Sequence, residues 1–293
     1  MTIIAILLAF GLCHFIRELG KVRNHRWLDG WVRRADELFV KLPGWSDLTG
    51  FVIILLLPLL LIAVVNQMVF VAFGNLGIFL LAIAMLVYTF GPRDLDTQVA
   101  DIINCPSEDT QEQELAELLR SDVPDDPELC RAVTVDAVFG ESLHRWFGVI
   151  FWFALLGITG AFMYRIVDWL ASEPSALSAA QKQLFARTRQ VLDWPAAQLM
   201  TLALAVATDF DSVFQAWKGY HDEQGHGLFE GNNGFLLASA RQIVLTGHAA
   251  RDGYADQLDG PMATLKQSMD LVWRVLGVWM TVLALLLLID VIT

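Results

Sequence analysis

The sequence predicts an all-α fold, a polytopic membrane helical bundle of about 5–6 membrane helices with amphipathic helices in the connecting loops. Three observations predict it. Hydrophobic residues make up 55% of the 293 and mean hydropathy is +0.50. Charged residues are only 18%, where a soluble chain carries about 25%, and the deficit is concentrated in long apolar runs. The basic residues gather in the stretches between those runs. A crossing helix needs about 20 mostly apolar residues, because hydrocarbon offers the backbone no hydrogen-bond partner and a helix supplies its own.

In chain order, residues 2–16 are apolar but short, and read as a short or re-entrant helix, with an interfacial helix as the alternative. A signal peptide is not expected, since no basic stretch precedes the run and no small-residue cleavage site follows it. Residues 50–73 contain no charge and form the clearest span. Pro58 inside it should kink the helix without ending it. Residues 74–90 follow at once, also charge-free and closed by Gly91-Pro92, so the two spans read as a hairpin turning at Gly74-Asn75. Residues 146–166 form a further span with aromatics at both ends and with Gly157 and Gly160 available for close helix contact. Residues 195–213 read as a span that opens with Asp193 as N-cap and Pro195 in the first turn. They cross only if Asp209 and Asp211 reach the headgroups. Residues 271–290 form the last span, interrupted by Arg274, which can snorkel to the interface.

The polar segments complete this single membrane domain. Residues 93–141 are an acidic stretch, with fourteen Asp and Glu against three Arg, and read as a solvated, self-repelling cytoplasmic loop. Two helices are expected in it. Thr110 can cap the first, with Leu115, Leu118 and Leu119 as its apolar stripe. The second starts near Pro127 and runs on into Trp146. Residues 178–192 read as a basic amphipathic helix on the membrane surface. Residues 214–270 form a second cytoplasmic loop, rich in Gly, His and Asn from 219, with a helix near Phe235 to Leu245.

Lys and Arg set the orientation. With six spans, the loops 17–47, 92–145 and 214–270 share one side and hold fifteen of the twenty basic residues, seven of them in 17–47. That side should be cytoplasmic in a bacterial inner membrane. Asp126 then lies in the cytoplasm and Ser178 in the periplasm.

Net charge of −12 excludes nucleic acid as a partner class. Cys13, Cys105 and Cys130 form no CxxC and suit a compartment that keeps thiols reduced. The sequence has no GxxxxGK[ST], HExxH, GxSxG or dinucleotide fingerprint. His221 and His226, five apart beside Asp222 and Glu223, suggest a metal only weakly and read better as solvated loop residues. The acidic run lacks the DxDxDG order of a calcium loop. No catalytic set, metal or cofactor is expected. Glu141 and His144 before Trp146, and Arg165 and Asp168 after Tyr164, are the informative ionisable residues. Charge at a membrane edge is costly and faces the bundle interior or water; interfacial anchoring is the plainer reading. Arg165 and Asp168, three apart, can pair on one helix face.

These residues also carry a resemblance. The block from Asp136 to Asp168, with Glu141-Ser142-Leu143, Phe151-Trp152, Gly157, Gly160-Ala161 and Tyr164-Arg165, resembles the membrane family containing AmpE and the cobalamin-biosynthesis protein CbiB. Leu192-Asp193-Trp194-Pro195, Asn232-Asn233-Gly234 and the stretch from Tyr254 to Gly260 follow in the same order. Synthases of the CbiB type (adenosylcobinamide-phosphate synthases) carry Tyr-Arg-x-x-Asn-Thr-Leu-Asp, where this chain has Asp168 for the Asn and Ala171 for the final Asp. They also carry Ser-Pro-Asn-x-Gly-x-Pro-Glu, of which Asn232 and Gly234 remain here. These departures remove candidate acid/base or metal groups. The chain therefore resembles more closely the AmpE branch, which the short loop with Trp27-Leu28-Asp29 also suits. That branch implies a regulatory inner-membrane protein linked to cell-wall recycling and β-lactamase induction, binding a ligand or partner at the cytoplasmic face. The implied partners are the lipid bilayer and an AmpD-like amidase or a cell-wall fragment; a homo-oligomer is compatible. The alternative is an enzyme or degenerate enzyme of the synthase family.

The candidate binding residues are Glu141, Arg165, Asp168, Asn232, Asn233 and Gly234. One site holding them all requires the helix from 141 to 168, about 40 Å long if straight, to break near Gly157-Ile158-Thr159-Gly160. Without a break they form two separate clusters.

Overall fold

The computed structural model describes residues 2–15, 23, 25–91, 93–172, 176–224, 232–246 and 260–292. Their regular structure is helical throughout, with no strand among the described residues. The helices are α1 (Thr2–Phe15), α2 (Trp27–Phe39), α3 (Leu48–Thr89), α4 (Leu95–Ile103), α5 (Glu108–Leu119), α6 (Pro127–Ser142), a π-turn (Leu143–Phe147), α7 (Gly148–Ser172), α8 (Ala179–Ala207), α9 (Phe210–Gln224), α10 (Gly234–Leu245) and α11 (Pro261–Ile292). Leu48–Thr89, Pro127–Ser172 and Pro261–Leu286 are long and apolar enough to cross a membrane. The chain is a multi-pass membrane protein. It divides into two compact units, residues 1–92 with 144–193 and residues 93–143 with 194–293.

The first unit is built on two helical hairpins. In α3 the helix breaks at Gly74, with φ 61° and ψ −150°, a conformation open only to glycine. The chain doubles back there. A Cβ on Gly77 would lie 3.3 Å from the Val69 carbonyl oxygen, although a straight helix puts residues eight apart about 12 Å from each other. The predicted hairpin at Gly74-Asn75 is thus present. Pro58 lies within the first arm. It donates no hydrogen bond, so the carbonyl of Ile54, four residues earlier, lacks its helical partner. The Trp31 indole nitrogen donates to that carbonyl at 3.0 Å, which ties α2 to the hairpin.

Helix α7 repeats the device at Gly157, with φ 64° and ψ −150°. The Tyr164 ring packs against the bare Cα of Gly148, where a straight helix would hold them about 24 Å apart. The expectation of a straight crossing over 146–166 is therefore corrected. The helix reverses at Gly157, and its two arms, 148–156 and 158–172, are about 13 and 22 Å long. Helix α1 packs on α3, and α3 on α7.

In the second unit α6 packs against α10 and α11, and α9 against α10. The acidic stretch is not a solvated loop. Leu95, Val99 and Ile102 of α4 and Leu115 and Leu118 of α5 are buried, so enough apolar surface faces inward to order it despite its charge. Ser107, not Thr110, holds the N-cap position of α5. Asp126 caps α6, accepting from the Glu128 amide at 3.2 Å with Pro127 in the first turn.

Helix α8 needs two corrections. Asp193 is no N-cap, because the helix runs from Ala179 through Pro195 to Ala207 and joins the predicted surface helix to the predicted span. Nor does that span extend to 213. Asp209 accepts from the Ser212 amide at 3.1 Å and starts α9, so the first part of the 214–270 loop is helical as well.

Candidate functional site

The first unit holds a buried polar cluster whose assembly depends on the Gly157 reversal. Bringing the second arm of α7 back beside the first places Tyr164, Arg165 and Asp168 near His144, in the π-turn. Such turns leave backbone carbonyls without their usual partners and recur at functional sites. Arg165 Nη2 donates to the His144 carbonyl at 3.3 Å. Its Nε donates to the Thr89 carbonyl at the end of α3, and its Nη1 to Asp168 Oδ2 at 2.8 Å. One guanidinium thus joins the ends of both hairpins. Arg165 is 3% exposed, a depth at which an arginine needs each of those partners.

Around this pair lies a second set. Arg189 of α8 approaches Asp168 Oδ1 at 3.7 Å and donates to the Ser172 hydroxyl. Asp193, 1% exposed, accepts from the Tyr164 hydroxyl at 2.6 Å and sits 3.1 Å from His144 Nε2. Asp193 fixes the imidazole, and the His144 side chain remains 22% exposed. The groups the cluster can offer a ligand are the partly exposed Arg189 and His144, and His144, oriented by a carboxylate, can exchange a proton.

Of the predicted site residues, Arg165 and Asp168 are together as expected. The others lie in the second unit. Glu141, 7% exposed, pairs with Arg120 Nη2 at 2.8 Å. Asn232 Oδ1 accepts from the Tyr220 hydroxyl at 2.8 Å and from the Gly234 amide at 3.2 Å. Gly234 lies against the Tyr220 ring, where a side chain would not fit, and Asn233 is the N-cap position of α10. The asparagine turn is thus a helix entry held by a tyrosine of α9.

Sequence reasoning missed three members of the first cluster. Asp193 passed as a cap, Arg189 as part of a surface helix and Tyr164 as an interfacial aromatic. The available signal was Asp193 itself, a carboxylate inside an apolar helical pattern. His221 lies in α9, with its Nδ1 2.8 Å from the Trp217 carbonyl. His226 and the stretch 254–259 fall outside the described residues.

The family model described as CobD/Cbib protein matches residues 6–268. No curated protein and no solved structure matches the chain. The match supports the cobalamin-biosynthesis side of the resemblance. Neither it nor the structure supports an AmpE-type role in β-lactamase induction or cell-wall recycling, or an AmpD-like partner.

Proposed function

The chain belongs to the CobD/Cbib protein family, and from that premise we propose that it is a degenerate relative of the family's synthases, using a polar site inside its helix bundle to bind a ligand. The observation that carries this is the state of Asp168. It stands where synthases of the CbiB type have an asparagine, and its carboxylate is held by Arg165 at 2.8 Å with Arg189 at 3.7 Å. A carboxylate neutralised by two guanidiniums is a poor general base and a poor metal ligand. Ala171 removes the second carboxylate of that segment. The partly exposed His144 and Arg189 remain, a pair suited to holding a polar group. Ser178 and Gln181 bond to the carbonyls of Ser46 and Trp45, which puts the start of α8 beside residues 17–47, whose seven Lys and Arg favour the cytoplasmic side. The finer reading, an AmpE-like regulator with an AmpD-like amidase or a cell-wall fragment as partner, rests on the departures from the synthase pattern and on the short loop with Trp27-Leu28-Asp29.

The test is amide synthesis. Purified protein in nanodiscs, given a corrinoid acid, an aminopropanol-type amine and ATP, should form no amide product. Expression should not rescue a strain lacking the synthase. Product formation or rescue would return the chain to the synthases.

A further inference from the structure

The two hairpin turns have a feature the polar cluster does not use. A cavity of about 270 Å³ lies among Asn66 and Asn75 of α3, Gly157 and Thr159 of α7, and Thr2 of α1. No ionisable residue lines it. Asn66 and Asn75 belong to a charge-free, largely apolar run, where an amide in contact with hydrocarbon is unfavourable unless hydrogen-bonded. The Asn66 Oδ1 is buried and has no hydrogen-bond partner. The cavity is too large for one water, whose share of the liquid is about 30 Å³. Its lining includes both sides of the Gly157 break, where helical backbone groups lose their partners.

We propose that this cavity binds the headgroup of a phospholipid that carries a primary ammonium. The orphaned Asn66 oxygen calls for an N–H or O–H donor. A lining without charge suits a headgroup whose phosphate and ammonium cancel, and it disfavours a lone anion or cation. The surrounding surface is apolar and outward-facing. Val71 is 76% exposed, Phe73 73% and Leu76 68%, and Ile4 of α1 and Leu155 of α7 are exposed as well. Acyl chains can lie on that surface while the headgroup enters between the turns. Ethanolamine phospholipid meets these conditions. Choline phospholipid has the same charges but no N–H to donate. The inference is independent of the proposed degenerate-synthase reading, since it uses no residue of the Arg165 cluster.

The experiment is competitive lipid retention by native mass spectrometry, using full-length protein in nanodiscs with equal amounts of phosphatidylethanolamine and phosphatidylcholine. The ethanolamine lipid should be retained about tenfold over the choline lipid, a difference of about 1.4 kcal/mol. Asn66→Leu should reduce that ratio to near one. Thr159→Val, a milder change at the α7 lining, should reduce it in part and serves if the first variant does not fold. Free ethanolamine at millimolar concentration should not displace the lipid. Equal retention of the two lipids by the unaltered protein would overturn the proposal, as would a preference that survives both substitutions. Displacement by free ethanolamine would overturn the lipid assignment in favour of a soluble amine.

Discussion

The reversals over Gly74-Asn75-Leu76-Gly77 in α3 and Gly157-Ile158-Thr159-Gly160 in α7 share one backbone geometry, φ 61° and 64° with ψ −150° at the first glycine. In both, the second glycine lies against the incoming arm, Gly77 at Val69 and Phe73 and Gly160 at Trp152 and Leu156. The hairpins differ in what they carry. The arms of α3 contain no charge and expose much of their surface around the turn. The returning arm of α7 is buried from Tyr164 to Asp168, with Arg165 and Asp168 within it. The turn chemistry fixes the shape and is indifferent to the cargo. The neighbours decide the cargo, because a charge is tolerated only on the arm that other protein covers and supplies with partners.

The largest expected effect on this comparison is all-or-none. If α7 returns as α3 does, the chain is on the same side of the membrane before α6 and after α7. Reporters fused after Asp126 and after Ser178 should then give the same location, contrary to the six-span expectation from the sequence. Ser178 already donates to the Ser46 carbonyl, and Gln181 Nε2 to the Trp45 carbonyl at 2.6 Å. Both acceptors precede the first hairpin. Opposite locations would break the equivalence of the two hairpins.

The charged cargo predicts the next effect. Asp168→Ala leaves Arg165 buried with its charge uncompensated, which costs about 3–5 kcal/mol. A double variant, Arg165→Met with Asp168→Leu, should recover much of that loss, since a buried ion pair can be replaced by apolar side chains of similar volume. Thermal unfolding in detergent reads both. A double variant no more stable than the single one would show that Arg165 contributes mainly through the Thr89 and His144 carbonyls.

The second glycines give a smaller difference. A methyl group on Gly160 would meet the Trp152 backbone carbonyl, whereas on Gly77 the nearest atoms are side-chain carbons of Phe73 and Val69. Backbone gives way less easily. Gly160→Ala should cost more than Gly77→Ala, by about 1–3 kcal/mol as overpacking usually does. Equal losses would show that the first arm of α7 can shift freely.

How legible this was in the sequence depended on range. The α3 hairpin was readable because both arms are charge-free and Gly74-Asn75 stands between them. The same Gly-x-x-Gly in α7 was visible only as a place where a break would be needed, because the continuous apolar run from Trp146 to Tyr164 fits a straight span as well. Pro127 announced the start of α6 through local chemistry. Asp193 misled for the same reason. An aspartate two residues before a proline is an N-cap pattern, and its real partners, His144 and Tyr164, are 49 and 29 residues away. The order of α4 and α5 came from burial of Leu95, Val99 and Leu115, which an acidic composition hides.

The smallest effect tests the joint between the hairpins. His25 packs against Tyr88 near the end of α3, ring centroids 4.7 Å apart, and against Trp169 near the end of α7 at 5.4 Å. Burial lowers its pKa from 6.5 to about 4, with the Arg165 and Arg23 charges adding to the fall and Asp168 opposing it. The folded protein therefore keeps His25 neutral at pH values where the unfolded chain has already protonated it. Between about 6.5 and 4 the unfolded state binds more protons at this residue, so its contribution makes stability fall as pH falls and level off below that window. His25→Phe keeps an aromatic ring between Tyr88 and Trp169 and removes the titration. Its unfolding midpoint should depend less steeply on pH across that window than that of the unaltered protein, with little change in stability above pH 7. An unchanged slope would place the proton uptake at another titratable group.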